Sequence, residues 1–395
     1  MNILIVGHSY IVDLNCEKLR ELAKISPQIQ VRVVVPKVWN PGGVQNKIVR
    51  PEFKDEGNFK IVPISNYSQN HQGLLTFGIE IIDFLKDFQP DIIHVEQGIK
   101  SFAYAQLIIL NKLLKLKAKN FFFTWWNIPY DLKFPFSWLE KFNLNNTDGF
   151  IAGNQEALDI IRDHGYDGKS IVAPNLGIDE MLFSPQPEPN LKAELAIKND
   201  DFVIGFVGRF VREKGILTLI KAVSKLSNKN WKLLLLGRGE LEEKIISEIT
   251  ALGLKDNLII IPSVAHDQVP RYINLMDTLV LPSETDDTFK TISAKGWKEQ
   301  FGHVLIEAMA CKVPVIGSDS GEIPYVIGDD GLVFQEKNDQ GLKDCLEQLM
   351  NNPDLARELA EKGYQKTMAK YTNKALARDL LEFYGQVLGE KVRGN

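Results

Sequence analysis

Two glutamates eight residues apart, Glu299 and Glu307, bracket the segment EQFGHVLIE. Carboxylates only accept hydrogen bonds, so two of them converging on one place suit the hydroxyls of a sugar or a ribose. Two cations, Arg209 and Lys214, stand in GFVGRFVREKG, where an apolar run ends and Gly208 and Gly215 frame a turn into the next helix. The first backbone N–H groups of a helix have no partner within it, so such a turn with two cations suits a diphosphate. By itself the segment is equally a tight strand-to-helix turn with solvated charges. LLGRGE sets Arg238 between two glycines after another apolar run, and alone it is a glycine-bearing turn. Ser263 and Val264 follow NLIII, where a backbone edge could meet a flat base if the other segments converge nearby. The Phe301-Gly302 step opens a helical pattern whose start again favours an anion. Neither GxxxxGK[ST] nor GxGxxG occurs, which argues against a P-loop nucleotidase and a dinucleotide dehydrogenase.

The elements that must position these residues follow a repeated rhythm. NILIVG, VRVVVP, PDIIHVEQ, KNFFFTWWN and DGFIAGN read as strands, with CEKLRELAKI and LLTFGIEIIDFLKDF as helices between them. Strands alternating with helices predict a parallel sheet covered on both faces. LFSPQPEPNLK holds three prolines in eleven residues and reads as a linker. The rhythm then restarts with DFVIGFVGR, GILTLIKAVSKL, WKLLLLGRG, ELEEKIISEITAL, NLIIIPS, QVPRYINLM and DTLVLPS. A loop over 284–298 follows, with Asp286-Asp287 in it, then the helix bearing Glu307, a strand, GLVFQE and NDQGLKDCLEQLMN. The expected fold class is therefore α/β, two doubly wound parallel-sheet units, one over 1–182 and one over 183–373, facing across a cleft. A last helix over 374–395 is expected to pack back on the first unit. Open α/β sheets bind ligands at the carboxyl ends of their strands.

The bulk properties agree. At ~150 residues per domain, 395 residues make two domains. The formal charge, 46 − 51 = −5, argues against a nucleic-acid partner. Three scattered cysteines with no CxxC suggest neither a disulfide framework nor a zinc site. MNILIVGHSY has no basic run before its apolar stretch and reads as a buried strand, so an export signal is not expected and a periplasmic sugar-binding protein is disfavoured. No apolar stretch nears the ~18 residues of a membrane span. A cytoplasmic location is expected, with at most peripheral contact at the inner face of the membrane.

Taken together, GRFVREKG, EQFGHVLIE and AMACKVPVIGSDSGEIPYVIGDDGLVF resemble glycosyltransferase family 4, the large retaining family with the GT-B fold. GFIAGNQEALDIIRDHGYDGKSIVAPNLGIDEMLF is similar to the family's segment before the interdomain linker. WKEQFG and IGSDSGEIP look like the bacterial, notably cyanobacterial, branch whose members build exopolysaccharides. The resemblance implies a nucleoside diphosphate sugar as substrate, with UDP-glucose the first choice and GDP-mannose the rival. It implies no other cofactor and no metal, and a saccharide or lipid-linked acceptor. By position, Arg209 and Lys214 would hold the diphosphate and Glu307 the ribose. Glu299 with the backbone of Gln300, Phe301 and Gly302 would hold the donor sugar. His303 and Val304 would lie near the phosphates, Val264 would face the base, and Gly7 and His8 would approach from the first unit. Same-face attack, with the leaving phosphate taking the acceptor proton, would leave Glu299 without a nucleophile's role.

The chain also departs from the family. Where many members carry a histidine beside the donor sugar, this sequence has Trp125, Trp126 and Asn127. The polar role falls to Asn127, or to His94 or Glu96 after PDII, and the tryptophans either stack on an acceptor sugar or belong to the core. The family's glycine-rich loop after the first strand is reduced to Gly7 in VGHSY. Lys112 to Lys119, KLLKLKAK, is basic and amphipathic, which reads either as the solvated end of a helix or as a lipid-surface contact. A sugar epimerase or phosphorylase on the same fold, and a non-catalytic donor-binding partner, are the competing readings.

Overall fold

Runs of Val, Ile, Leu and Phe four to seven residues long become parallel strands buried on both faces, as expected where helices cover both sides of a sheet. The computed structural model describes residues 1–41, 48–290 and 294–389. They fall into two units, Met1–Gly177 with Asn373 onward, and Ile178–Thr372.

Unit 1 contains β1 Asn2–Val6, β2 Gln30–Pro36, β3 Lys54–Glu56, β4 Phe59–Ile64, β5 Asn66–Tyr67, β6 Thr76–Phe77, β7 Ile92–Val95, β8 Lys119–Thr124, β9 Gly149–Ala152 and β10 Lys169–Val172. Its main sheet runs β10-β9-β8-β7-β1-β2-β4-β3 and is parallel throughout except for β3, which pairs antiparallel with β4 at the edge. One face is covered by the helix Glu17–Lys24 and by the C-terminal helix Asn373–Leu388. That last helix buries Leu380, Leu381, Phe383 and Tyr384, with the Phe121 ring 4.9 Å from that of Tyr384. The other face is covered by Glu80–Phe88, Phe102–Leu113, Phe136–Leu144 and Gln155–Asp163. Ser101 caps the second of these by accepting from Tyr104 N, and Asn154 caps the fourth by accepting from Ala157 N. LLTFGIEIIDFLKDF is not one helix. It begins as a short 3-10 turn and β6, and the helix starts only at Glu80.

Unit 2 contains β11 Phe202–Val207, β12 Trp231–Leu236, β13 Leu258–Ile261, β14 Thr278–Leu281, β15 Asp286–Lys290, β16 Lys295–Trp297, β17 Val315–Ser318 and β18 Leu332–Phe334. Its six-stranded sheet, β13-β12-β11-β14-β17-β18, is parallel throughout. Two sequence expectations change here. Within 284–298, read as a loop that included Asp286-Asp287, the strands β15 and β16 pair antiparallel. The proline-bearing stretch 182–192, read as a linker, belongs to unit 2. Phe183 and Leu191 are buried, Asn274 Oδ1 accepts from Gln186 N at 2.9 Å, and Asn274 Nδ2 donates to Ser184 O at 3.1 Å. Among the described residues no helix is long and apolar enough to cross a membrane.

Candidate active site

The chain of unit 2 lays down β11, moves outward on one side to β12 and β13, then returns to place β14 on the other side of β11. That reversal marks the switch point at which open α/β sheets bind ligands, and the loops after β11 and β14 flank it.

The loop after β11 ends in a 3-10 turn over Arg212–Lys214 and enters the helix Ile216–Ser224 through Gly215, at φ +67°. A side chain there would be strained by that φ and blocked as well, since a Cβ would lie 1.8 Å from the carbonyl oxygen of Pro282. The two loops are stitched further by Glu284 N donating to Glu213 O at 2.8 Å and Thr218 Oγ1 donating to Glu284 Oε1 at 2.6 Å. This close approach carries the Lys214 ammonium onto the Glu299 carboxylate. Ser283, just past β14, donates to the same Glu299 oxygen at 2.7 Å, and the Trp297 ring centroid lies 5.2 Å from Lys214 Nζ. Glu299 is only 7% exposed, so its charge needs these partners. Arg209 is exposed and touches Glu213 only at 3.4 Å, a weak surface pair that a ligand can replace at little cost. The turn after β12 is tied to the same loop, Phe210 N donating to Arg238 O at 2.9 Å, which leaves the Arg238 side chain exposed beside it.

The helix His303–Ala310 starts at Gly302, at φ +84°, where a Cβ would meet Leu281 Cδ2 at 2.7 Å. Phe301 is buried with its ring 4.8 Å from that of His303 and 5.7 Å from that of Tyr371; Gln300, His303 and Val304 are half-buried. One turn on, Glu307 Oε1 lies 3.6 Å from His266 Nε2, and the Phe183 ring stands 5.3 Å from the imidazole. Val264, two residues before His266 in the same loop, is half-buried.

The Glu307 hydrogen bond raises the His266 pKa above its ordinary value, against a smaller opposing effect of burial. A raised folded-state pKa means the pairing is fully present below the unfolded value of about 6.5 and is lost as pH rises through the folded one. The His266 resonance should therefore titrate above that value by NMR. Glu307→Gln should bring it down to or below the ordinary range, and an unmoved titration in that variant would break the pairing.

In unit 1, Gly7 follows β1, and His8 opens a short 3-10 turn with its ring 5.0 Å from Trp39. Burial lowers its pKa to about 4, so the imidazole is neutral at pH 7. It borders a cleft of about 330 Å³ shared with Asn15 and Trp39. His94 and Glu96 are not on an open wall, which corrects the expectation that either takes a sugar-facing role. Both are buried in the layer under the C-terminal helix. His94 Nδ1 is 2.7 Å from the Tyr384 hydroxyl, and burial holds its pKa well below the usual range. Glu96 accepts from Asn175 Nδ2 at 2.5 Å, and Asn175 Oδ1 accepts from the buried Lys18 at 2.7 Å. Burial raises the Glu96 pKa and lowers that of Lys18. Trp125 packs edge-on to Phe123 at 5.1 Å and covers Gly153, where a Cβ would fall 2.1 Å from its ring. Trp126 has Lys100 Nζ 4.3 Å from its centroid, and Asn127, buried, donates to Glu156 Oε2 at 3.1 Å.

The structure thus brings together Lys214 with Glu299, the Arg209 loop with Arg238, and Glu307 with His266, two residues on from Val264. Ser283 and His266, which hold the two glutamates, carried no signal of their own in the sequence; each lies 16 or more positions from its partner. Lys100, sandwiched between Trp126 and Tyr130 with its pKa lowered by burial to about 8, was also missed.

Residues 187–366 match the family model for glycosyl transferases group 1. The capsular polysaccharide biosynthesis glycosyltransferase CapM of Staphylococcus aureus is 32% identical over 197 residues, covering 49% of this chain and 48% of that protein. The N-acetyl-alpha-D-glucosaminyl L-malate synthase of Bacillus anthracis is 26% identical over 259 residues, 65% of this chain and 64% of that one. The chain thus spans about half to just under two thirds of the length of these curated relatives. Among solved structures, Anabaena HepE in complex with UDP superimposes with a TM-score of 0.69 at 16% identity, covering 98% of this chain and 100% of that one. These similarities show an α/β fold of two parallel-sheet units of the GT-B kind, with a segment similar to group 1 glycosyl transferases in its second unit.

Proposed function

We propose that the protein is a retaining glycosyltransferase that moves a hexose, glucose as first choice, from a nucleoside diphosphate sugar to a saccharide or lipid-linked acceptor in polysaccharide synthesis. The observation that carries this reading is the Lys214–Glu299–Ser283 cluster at the switch point of unit 2. A lysine and a carboxylate from different strand ends already hold one another there. A donor's diphosphate would take Lys214, and the sugar hydroxyls would take Glu299, so each partner exchanges one hydrogen-bonded group for another.

In the reaction the donor C1–O bond breaks and the C1–O bond to the acceptor forms. The nucleoside diphosphate leaves with the electron pair, and its phosphate oxygen takes the acceptor proton on the same face of the sugar. Arg209, Lys214 and the helix start at Gly302 meet the growing negative charge on the leaving group. Preorganised donors of this kind are among the largest contributors to catalysis. Glu307 accepts from the ribose hydroxyls while Val264 borders the base. UDP-glucose is our choice of donor.

A thermal-shift panel of UDP, GDP and ADP sugars tests the donor. The expected result is the largest stabilisation by UDP-glucose, since a ligand that binds only the folded state raises the melting temperature with its affinity. A larger shift with GDP-mannose would replace the uridine donor by a guanosine one. No shift with any nucleotide sugar would remove the donor site.

A further inference from the structure

Two helices on one face of unit 1 leave large apolar side chains in water. Phe134 is 82% exposed, Leu113 71% and Trp138 62%, with Phe136 and Ile109 also exposed nearby. Ring contacts join part of this set. The Phe102 and Phe136 rings are 6.5 Å apart, joining the helix Phe102–Leu113 to the helix Phe136–Leu144. Trp138 stacks on Phe142 at 5.8 Å, and Lys112 Nζ lies 5.9 Å from the Phe142 ring. Scattered apolar side chains on a surface are ordinary, but a joined set of aromatics is the mark of an interaction site.

The edge of this patch is cationic. Lys112, Lys115, Lys117 and Lys119 line a cleft of about 590 Å³ where the two helices end, together with Asn146 and Asp148. Lys112 is held by Asn146, and Lys119 by Asp148 at 2.8 Å. Lys115 and Lys117 are exposed and have no acidic partner among the described residues. Both sit in the left-handed backbone region, at φ +57° and +64°, a conformation that side-chain-bearing residues seldom adopt. Helix C-termini favour a cation, which accounts for Lys112. It does not account for two further lysines on an awkward backbone, nor for the exposed Leu113 that ends the helix before them. Lys133 and Lys141 add charge around the aromatics. The whole chain is net −5, so this concentration of lysine runs against its overall balance.

We propose that this face of unit 1 docks on an anionic phospholipid bilayer, with Phe134, Trp138 and Leu113 entering the interface and Lys115 and Lys117 against the headgroup phosphates. Aromatic side chains sit well at the headgroup level, and polybasic segments are drawn to anionic leaflets. A two-fold contact with a second copy would set the lysines of this face against one another, so charge complementarity favours an anionic bilayer. The docking is independent of the donor chemistry in unit 2.

Co-sedimentation of the full chain with phosphatidylcholine vesicles, with and without phosphatidylglycerol, tests it. The chain should pellet with the anionic vesicles alone, and less at high salt. Lys115→Glu/Lys117→Glu should lower partitioning by at least about tenfold, since each lysine near an anionic surface contributes roughly a fivefold factor. Phe134→Ser/Trp138→Ser should lower it by about tenfold or more through lost apolar burial. These side chains are exposed, so melting temperatures should stay within a degree or two of the parent, by order of magnitude. No pelleting, or pelleting of both double variants equal to that of the parent, would overturn the docking. Concentration-dependent self-association abolished by Phe134→Ser/Trp138→Ser would assign the patch to a second copy instead.

Discussion

Lys214→Ala should lower turnover by about 10²–10³-fold, the usual cost of removing one preorganised donor from a developing negative charge. The loss should fall mainly on kcat, because the charge on the leaving diphosphate grows as the C1–O bond breaks. Lysine here is also a structural partner. Glu299 is buried against it, so the single variant leaves a buried carboxylate that has lost its lysine while keeping Ser283, and should melt at a lower temperature. Catalytic and structural effects separate in Lys214→Ala/Glu299→Gln. This double variant removes the buried charge and should recover much of the melting temperature while remaining inactive. Recovery of turnover along with stability would mean that Lys214 serves the fold alone. Lys214→Arg should restore little, since a planar guanidinium cannot take the ammonium's place between Glu299 and the Trp297 ring without displacing one of them.

Glu307→Ala should weaken nucleoside diphosphate binding by roughly 10–100-fold, the range expected for hydrogen bonds to a charged acceptor. A weaker affinity alone would not place the contact at the ribose, because His266 also loses its partner in this variant. Calorimetry with UDP and with its 2′-deoxy analogue does so. The parent protein should prefer UDP, and in Glu307→Ala the two should bind alike. A preference that persists unchanged would move the ribose contact to another group.

The strands that carry the site were legible because their composition admits little else. FVIGFV and WKLLLL are short, almost wholly apolar runs that each end at a glycine, and they become β11 and β12, largely buried. Glu299 and Glu307 stood out because carboxylates beside a glycine-started helix are few. Other features needed the third dimension. The strands β15 and β16, DDTFK and KGW, are short and mostly polar, so their sequence reads as a loop, and they pair antiparallel. The stretch 182–192 has the prolines of a linker, yet Phe183 and Leu191 find buried positions in unit 2, and burial outweighs local composition. His94 and Glu96 were misplaced because alternation along β7 says which residues share a face but not which face a distant helix covers. Tyr384, 290 positions from His94, decides that. Ser283 and His266 are ordinary residues whose roles exist only through what the fold brings to them.

The most direct measurement of the central claim is NMR of the full chain incubated with the nucleotide sugar that stabilises it most, alongside a panel of saccharide acceptors. The predicted result is one nucleoside diphosphate released per sugar transferred, with the new glycoside keeping the donor's anomeric configuration and with turnover surviving a metal chelator. An epimerised nucleotide sugar, a sugar phosphate, or a donor that binds and is never cleaved would contradict it.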